Sequence, residues 1–190
     1  MQGADILAHS DKGNPKQVFM PDFLNENYAS LEWYPPDNEE KQKKIGAWLQ
    51  NAAPPKHLPK IPVVLSECEQ LNPNIKSWGV IGYCWGGKLV SLIAGGTTKF
   101  KAGVQTSPVL VDPEEAKKVG IPMAILLSKD EPVDDWDQYK GDLKVDHVFK
   151  RFQTVPHGFM SARGDLKDPA NKKVYEQGYQ IALGFFNKHL

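Results

Sequence analysis

A chain of 190 residues, 41% hydrophobic and 24% charged, can bury a sizeable core and has the balance of a globular protein, not of a disordered or fibrous one. Lys plus Arg and Asp plus Glu both total 23, so the formal net charge is zero and nothing electrostatic points to nucleic acid or to an anionic membrane surface. No apolar run reaches the roughly 18 residues of a membrane span, and the N-terminus lacks a basic region leading into an apolar core. A reducing, cytoplasmic setting is therefore the expectation.

In chain order, Gly3 to Ala8 reads as a helix and Lys16 to Met20 as a strand ending at Pro21-Asp22. Asn25 to Pro36 reads as a loop. Asp37 or Asn38 can cap a helix from Glu39 to Leu49, with acids in its first turn as the helix dipole prefers. Asn51 to Pro55 breaks it, and an amphipathic stretch follows from Ile61 to Leu71, in which Cys68 reads as a packing residue. Strands are expected at Trp78 to Ile81, Ala102 to Thr106, Met123 to Leu127 and His147 to Phe152. Helical patterns fall at Lys88 to Ala94, Pro113 to Val119 and Pro169 to His189. The acidic cluster of Glu131, Asp134, Asp135 and Asp137 reads as solvated loop. This alternation predicts a single α/β domain over residues 1–190, a mostly parallel sheet with helices on both faces. The sequence shows no internal repeat and no linker.

The most informative stretch is Gly82-Tyr83-Cys84-Trp85-Gly86-Gly87, which follows an apolar run and opens a helical pattern. That is the strand, sharp turn and helix of a nucleophile elbow, with cysteine in place of the commoner serine. Gly82 and Gly86, two residues either side of Cys84, are expected to give the room that a strained turn needs. The helix N-terminus favours thiolate, and the Trp85 backbone N–H is placed to donate to a developing oxyanion. Cysteine is also often a small buried hydrophobe, and glycines mark many tight turns, so the elbow needs downstream partners.

Both expected partners follow in the order nucleophile, acid, base. The apolar run Met123 to Leu127 ends in Ser128-Lys129-Asp130-Glu131-Pro132, and Asp130, nearest the strand end, is the candidate orienting acid. Of five histidines, His157 stands in a loop after a strand and is the candidate base. Arg163 could grip a substrate carboxylate through its planar fork or equally form a solvated turn with Asp165. Tyr83, beside the nucleophile, is taken with Arg163 as a substrate-binding candidate. The two cysteines, Cys68 and Cys84, have no metal-ligand spacing, so no metal is expected.

The segments Val18 to Phe23, Val80 to Lys88, Ser128 to Glu131, and His157-Gly158-Phe159 with Arg163 after it together resemble the dienelactone hydrolases, the carboxymethylenebutenolidase group of the α/β-hydrolases, and especially their fungal relatives. The resemblance implies a three-layer α/β-hydrolase fold and a Cys84, Asp130 and His157 triad that hydrolyses small lactones or esters without a cofactor, as a monomer or homodimer. Members of that family open with additional strands and an early loop that supplies a second oxyanion donor. Here the chain opens at what reads as the following helix, so an N-terminally shortened fold is the expectation.

Two other readings stand beside this one. A cysteine amidotransferase would commonly carry a His-x-Glu pair, and no histidine here is followed two residues on by glutamate. A catalytically silent relative would bind a ligand or partner without turnover.

Overall fold

The computed structural model describes residues 2–9, 11, 13 and 15–190. Its elements run α1 (Gln2–His9), α2 (Glu39–Asn51), α3 (Lys60–Leu71), β1 (Trp78–Tyr83), α4 (Trp85–Ala94), β2 (Phe100–Thr106), β3 (Met123–Leu127), α5 (Val133–Asp142), β4 (His147–Arg151) and α6 (Pro169–His189). Short 3₁₀ turns lie at Leu31–Trp33, Pro54–His57 and Pro113–Lys118. No described helix is long and apolar enough to cross a membrane.

The four strands form one parallel sheet in the order β1-β2-β3-β4. Because sequential strands step across the sheet in one direction and each crossover is right-handed, α4, the Pro113–Lys118 turn and α5 must share one face. Buried residues obey this. Met123, Ile125 and Leu127 of β3 pack with Val90 and Ala94 of α4, Ala116, and Trp136, Tyr139 and Leu143. The alternate residues Ala124 and Leu126 face the other way, against Tyr175, Tyr179, Ala182, Phe185 and Phe186 of α6 and Leu7 of α1. A strand buried on both faces carries a continuous apolar run, and all five residues of β3 are fully buried. Trp136 is the largest side chain in the α4–α5 core at 1% exposure, so Trp136→Ala is expected to cost about 3–5 kcal/mol of stability in urea unfolding, with little change in m-value.

These elements form two compact units, residues 1–18 with Asn74–Leu190, and Phe19–Pro73. Within the second unit, Asn38 caps α2 by accepting from the Lys41 N–H at 2.9 Å, the Trp48 indole donates to the Asn27 carbonyl at 2.8 Å, and Lys60 donates to the Phe23 carbonyl at 3.0 Å. Cys68 is buried on α3, where burial and then the neighbouring Glu67 and Glu69 push its thiol pKa up.

Two local expectations are corrected. Lys16 to Met20 joins no ladder among the described residues; the Lys16 N–H reaches the Ala8 carbonyl at 3.4 Å and Val18 packs on the α6-side core. An apolar extended run reads the same whether or not a strand partner exists. The acidic stretch after Pro132 is helix α5, not loop. Asp134 and Asp135 occupy its first turn, where the dipole favours anions, while Trp136, Tyr139 and Leu143 recur at helical spacing on the buried side.

Candidate active site

Parallel strands deliver their following loops to one edge of the sheet, and a site at the carboxyl ends of the strands is the usual result. Cys84 follows β1, Ser107 follows β2, Glu131 follows β3 and His157 follows β4.

Cys84 sits at the turn with φ 52° and ψ −112°, a left-handed conformation that costs a non-glycine residue about 1–3 kcal/mol and persists only where its surroundings enforce it. They do so from both flanks. The Cys84 N–H donates to Thr106 at 3.0 Å, and the Cys84 carbonyl accepts from Gly87 at 3.0 Å, Val109 at 3.3 Å and Lys88 at 3.4 Å. Closure of the elbow brings a Cβ placed on Gly82 within 2.1 Å of the Gly86 carbonyl oxygen, and one on Gly87 within 2.7 Å of Pro108 Cβ. A Cβ on Gly86 meets nothing within 4 Å. The close approaches therefore belong to Gly82 and Gly87, not to the expected Gly82 and Gly86. The elbow helix is further tied down by a half-buried ion pair between Lys88 and Glu115 at 2.5 Å.

His157 Nδ1 is 2.8 Å from Glu131 Oε1, which leaves Nε2 free of that bond, and Cys84 also acts on the ring. Burial by itself would lower the imidazole pKa. Hydrogen bonds and charge from Cys84 and Glu131 outweigh it and carry the pKa up to about 9. Both partners therefore favour the charged form of the ring.

The acid on the ring is thus Glu131, correcting the expectation of Asp130. Asp130 Oδ2 instead accepts the His157 backbone N–H at 2.8 Å. The reason lies in the turn after β3: Ser128 Oγ accepts from Asp130 N–H at 3.1 Å, and the Ser128 N–H donates to Glu131 Oε2, which folds the longer Glu131 arm back toward the ring. Nearness to the strand end was the wrong criterion. Both carboxylates reach the histidine, one by its side chain and one by its main chain.

Ser107 went unnoticed in the sequence. It is buried, left-handed at φ 40°, and its Oγ accepts the Gly158 N–H at 3.2 Å, so the His157 loop is held from β2 as well as from β3. No sequence signal marks it, because Thr106-Ser107-Pro108 reads as an ordinary strand end.

Trp85 is the first residue of α4, directly after Cys84. Arg163 Nη1 donates to the His157 carbonyl at 3.4 Å, which keeps its guanidinium beside the His157 loop. Tyr83 does not fit the expected substrate contact: its hydroxyl pairs with Tyr179 at 2.9 Å, and Tyr179 donates on to the Met160 carbonyl at 2.9 Å. Strand alternation turns Tyr83 to the α6 face, where burial raises its pKa to about 12. It joins β1 to α6.

Comparison with known proteins bears on the family and the fold. The model of the dienelactone hydrolase family matches residues 17–190. An AIM2 family protein of Schizosaccharomyces pombe is 32% identical over 192 residues, covering 98% of this chain and 76% of that protein. The hydrolase pyvD of Aspergillus violaceofuscus is 26% identical over 194 residues, covering 98% of this chain and 74% of that one. The Pyrococcus horikoshii acylaminoacyl peptidase superposes with a TM-score of 0.53 at 19% identity over 66% of this chain and 26% of its own, a likeness of fold. A parallel sheet flanked by helices on both faces, an elbow at its carboxyl edge and a family match over nearly the whole chain lead to one assignment: the chain belongs to the dienelactone hydrolase family, which supports a hydrolase role.

Proposed function

We propose that this chain hydrolyses small lactones or related carboxylic esters, with Cys84 as nucleophile, His157 as acid and base, and Glu131 orienting the ring. The observation that carries the reading is the His157 imidazole, whose Nδ1 is 2.8 Å from Glu131 Oε1 and whose pKa is raised to about 9 under the influence of Cys84 and Glu131. Transfer of the thiol proton to Nε2 makes a thiolate at the N-terminus of α4, where the helix dipole favours it. The sulfur attacks the acyl carbon, and the oxyanion that forms can accept from the Trp85 backbone N–H. Imidazolium then protonates the leaving alkoxide. Neutral His157 next draws a proton from water, which attacks the thioester and releases the acid. Arg163, held beside the base loop, is the candidate partner for an anionic substrate group.

Steady-state hydrolysis of p-nitrophenyl acetate and of a five-membered unsaturated lactone tests the proposal, together with iodoacetamide labelling followed by peptide mass spectrometry. Cys84→Ala is expected to lower turnover by at least about a thousandfold, while Cys68→Ala leaves it near wild type. Near neutral pH, Cys84 is expected to label faster than Cys68, whose burial raises its pKa. Wild-type hydrolysis by Cys84→Ala, or faster labelling of Cys68 in the folded protein, would overturn the assignment.

A further inference from the structure

Glu131 and Asp130 both lie on the short turn after β3, and that turn carries the whole link from acid to base. Its internal bonds are few: the Ser128 N–H to the Glu131 carboxylate and the Asp130 N–H to Ser128 Oγ. Outside the turn, the Lys129 N–H donates to the Val155 carbonyl at 3.2 Å. None of these holds the carbonyl side of the turn.

Arg151 does. It is the last residue of β4, and strand register sets it beside Leu127, the last residue of β3. Its Nη1 donates to the Glu131 carbonyl at 2.8 Å and to the Ser128 carbonyl at 3.2 Å, and its Nη2 donates to the Pro132 carbonyl at 3.4 Å. Every side-chain hydrogen bond of Arg151 among the described residues therefore ends on a main-chain carbonyl of this one turn. A guanidinium is planar, always charged and forked, so it can bind three carbonyls in one fixed arrangement where a lysine offers a single flexible point. The Pro132 carbonyl also stands at the start of α5, so the same fork sets the place where the turn hands over to the helix.

We infer that Arg151 is a positioning residue for the hydrolytic site. It staples the Ser128–Pro132 turn so that Glu131 reaches His157 Nδ1 while Asp130 holds the His157 main chain. Arg151 has no hydrogen bond to Cys84 or to the ring, so it acts through Glu131 and Asp130. This inference rests on the roles proposed above for Glu131 and His157.

The test compares Arg151→Met, which keeps an aliphatic stem without the fork, with Arg151→Lys, and places Arg151→Met also in a Glu131→Gln background. The readouts are kcat and KM on p-nitrophenyl acetate from about pH 5 to 10, and the proton NMR signal of the His157 Nδ1–H. Arg151→Met is expected to lower kcat by roughly tenfold to a hundredfold, the scale set by a misplacement of about 1 Å, with KM within about twofold of wild type. Its alkaline limb in kcat/KM should move from about 9 toward 6.5, and the Nδ1–H signal should weaken. Arg151→Lys should fall between the two, and it carries the test alone if Arg151→Met does not fold. On the Glu131→Gln background, Arg151→Met should add little further loss, because residues acting through one contact are not additive. A lowered melting temperature with an unchanged pH profile and Nδ1–H signal would overturn the inference, as would full additivity with Glu131→Gln. If Glu131→Gln alone leaves the pH profile unchanged, the proposed role of Glu131 fails first and the inference falls with it.

Discussion

Glu131→Gln is expected to lower kcat/KM for p-nitrophenyl acetate by a hundredfold to ten-thousandfold in order of magnitude, and Asp130→Asn by much less. Glu131 takes the ring N–H at 2.8 Å, so its loss removes both a hydrogen bond to the imidazolium and the negative charge that stabilises it. Asp130 takes only the backbone N–H, a bond that an asparagine carbonyl can still accept. The pH dependence has a definite sign. With Glu131 present the His157 pKa lies at about 9, so the imidazolium needed to protonate the leaving group is lost as pH rises through that value. With glutamine present the limb shifts down toward the ordinary 6.5. Stability follows the same direction. A raised folded-state pKa stabilises fully below about 6.5, and that contribution disappears as pH rises through about 9. Wild type should therefore lose more melting temperature across that window than His157→Gln. Equal damage from Asp130→Asn and Glu131→Gln, with the same pH shift, would show that the turn as a whole matters and not the ring contact.

Gly82→Ala should prove far more damaging than Gly86→Ala, although the two glycines flank Cys84 symmetrically in sequence. A Cβ at Gly82 would lie 2.1 Å from the Gly86 carbonyl oxygen and 2.3 Å from its carbon, both main-chain atoms of the first turn of α4. Nothing flexible is there to yield. The helix start must move off the strand end, taking Cys84 with it, at a cost at or above the roughly 3 kcal/mol upper end of ordinary overpacking. Turnover should fall with stability. At Gly86 a Cβ meets nothing within 4 Å and its φ lies outside the left-handed region, so alanine should be neutral or should stabilise by about 0.4–1 kcal/mol through the unfolded chain. Denaturant melts of the two variants, with iodoacetamide labelling of Cys84, separate the cases. Comparable loss at both positions would mean that Gly86 serves through something other than the space at its Cβ.

Some features were legible because they are written in neighbouring residues. The elbow needs an apolar strand, a glycine-flanked turn residue and a helix in immediate succession, and Trp78 to Ala94 supplies them in one run. Met123 to Leu127 announced a strand buried on both faces because each of its residues is apolar, and Pro169 to His189 announced its helix by a stripe at helical spacing. The sequence by itself determined these elements, their order and the chain order of the cysteine elbow, the acidic turn and the histidine loop, since each depends on local period, turn chemistry and chain direction. What only the tertiary structure decided were matters of partnership. Lys16 to Met20 has the composition of a strand, yet a strand exists only where another offers its backbone. Asp130 and Glu131 are adjacent carboxylates, and the choice between them was made by Ser128, Arg151 and the loop from Val155 to Gly158. Tyr83 stands beside Cys84 in sequence, but the period of two in a strand sends its hydroxyl to Tyr179 on the far face. Ser107 and Arg151 carry no local mark, because each acts on a loop that follows a different strand, and only closure of the sheet brings those loops together.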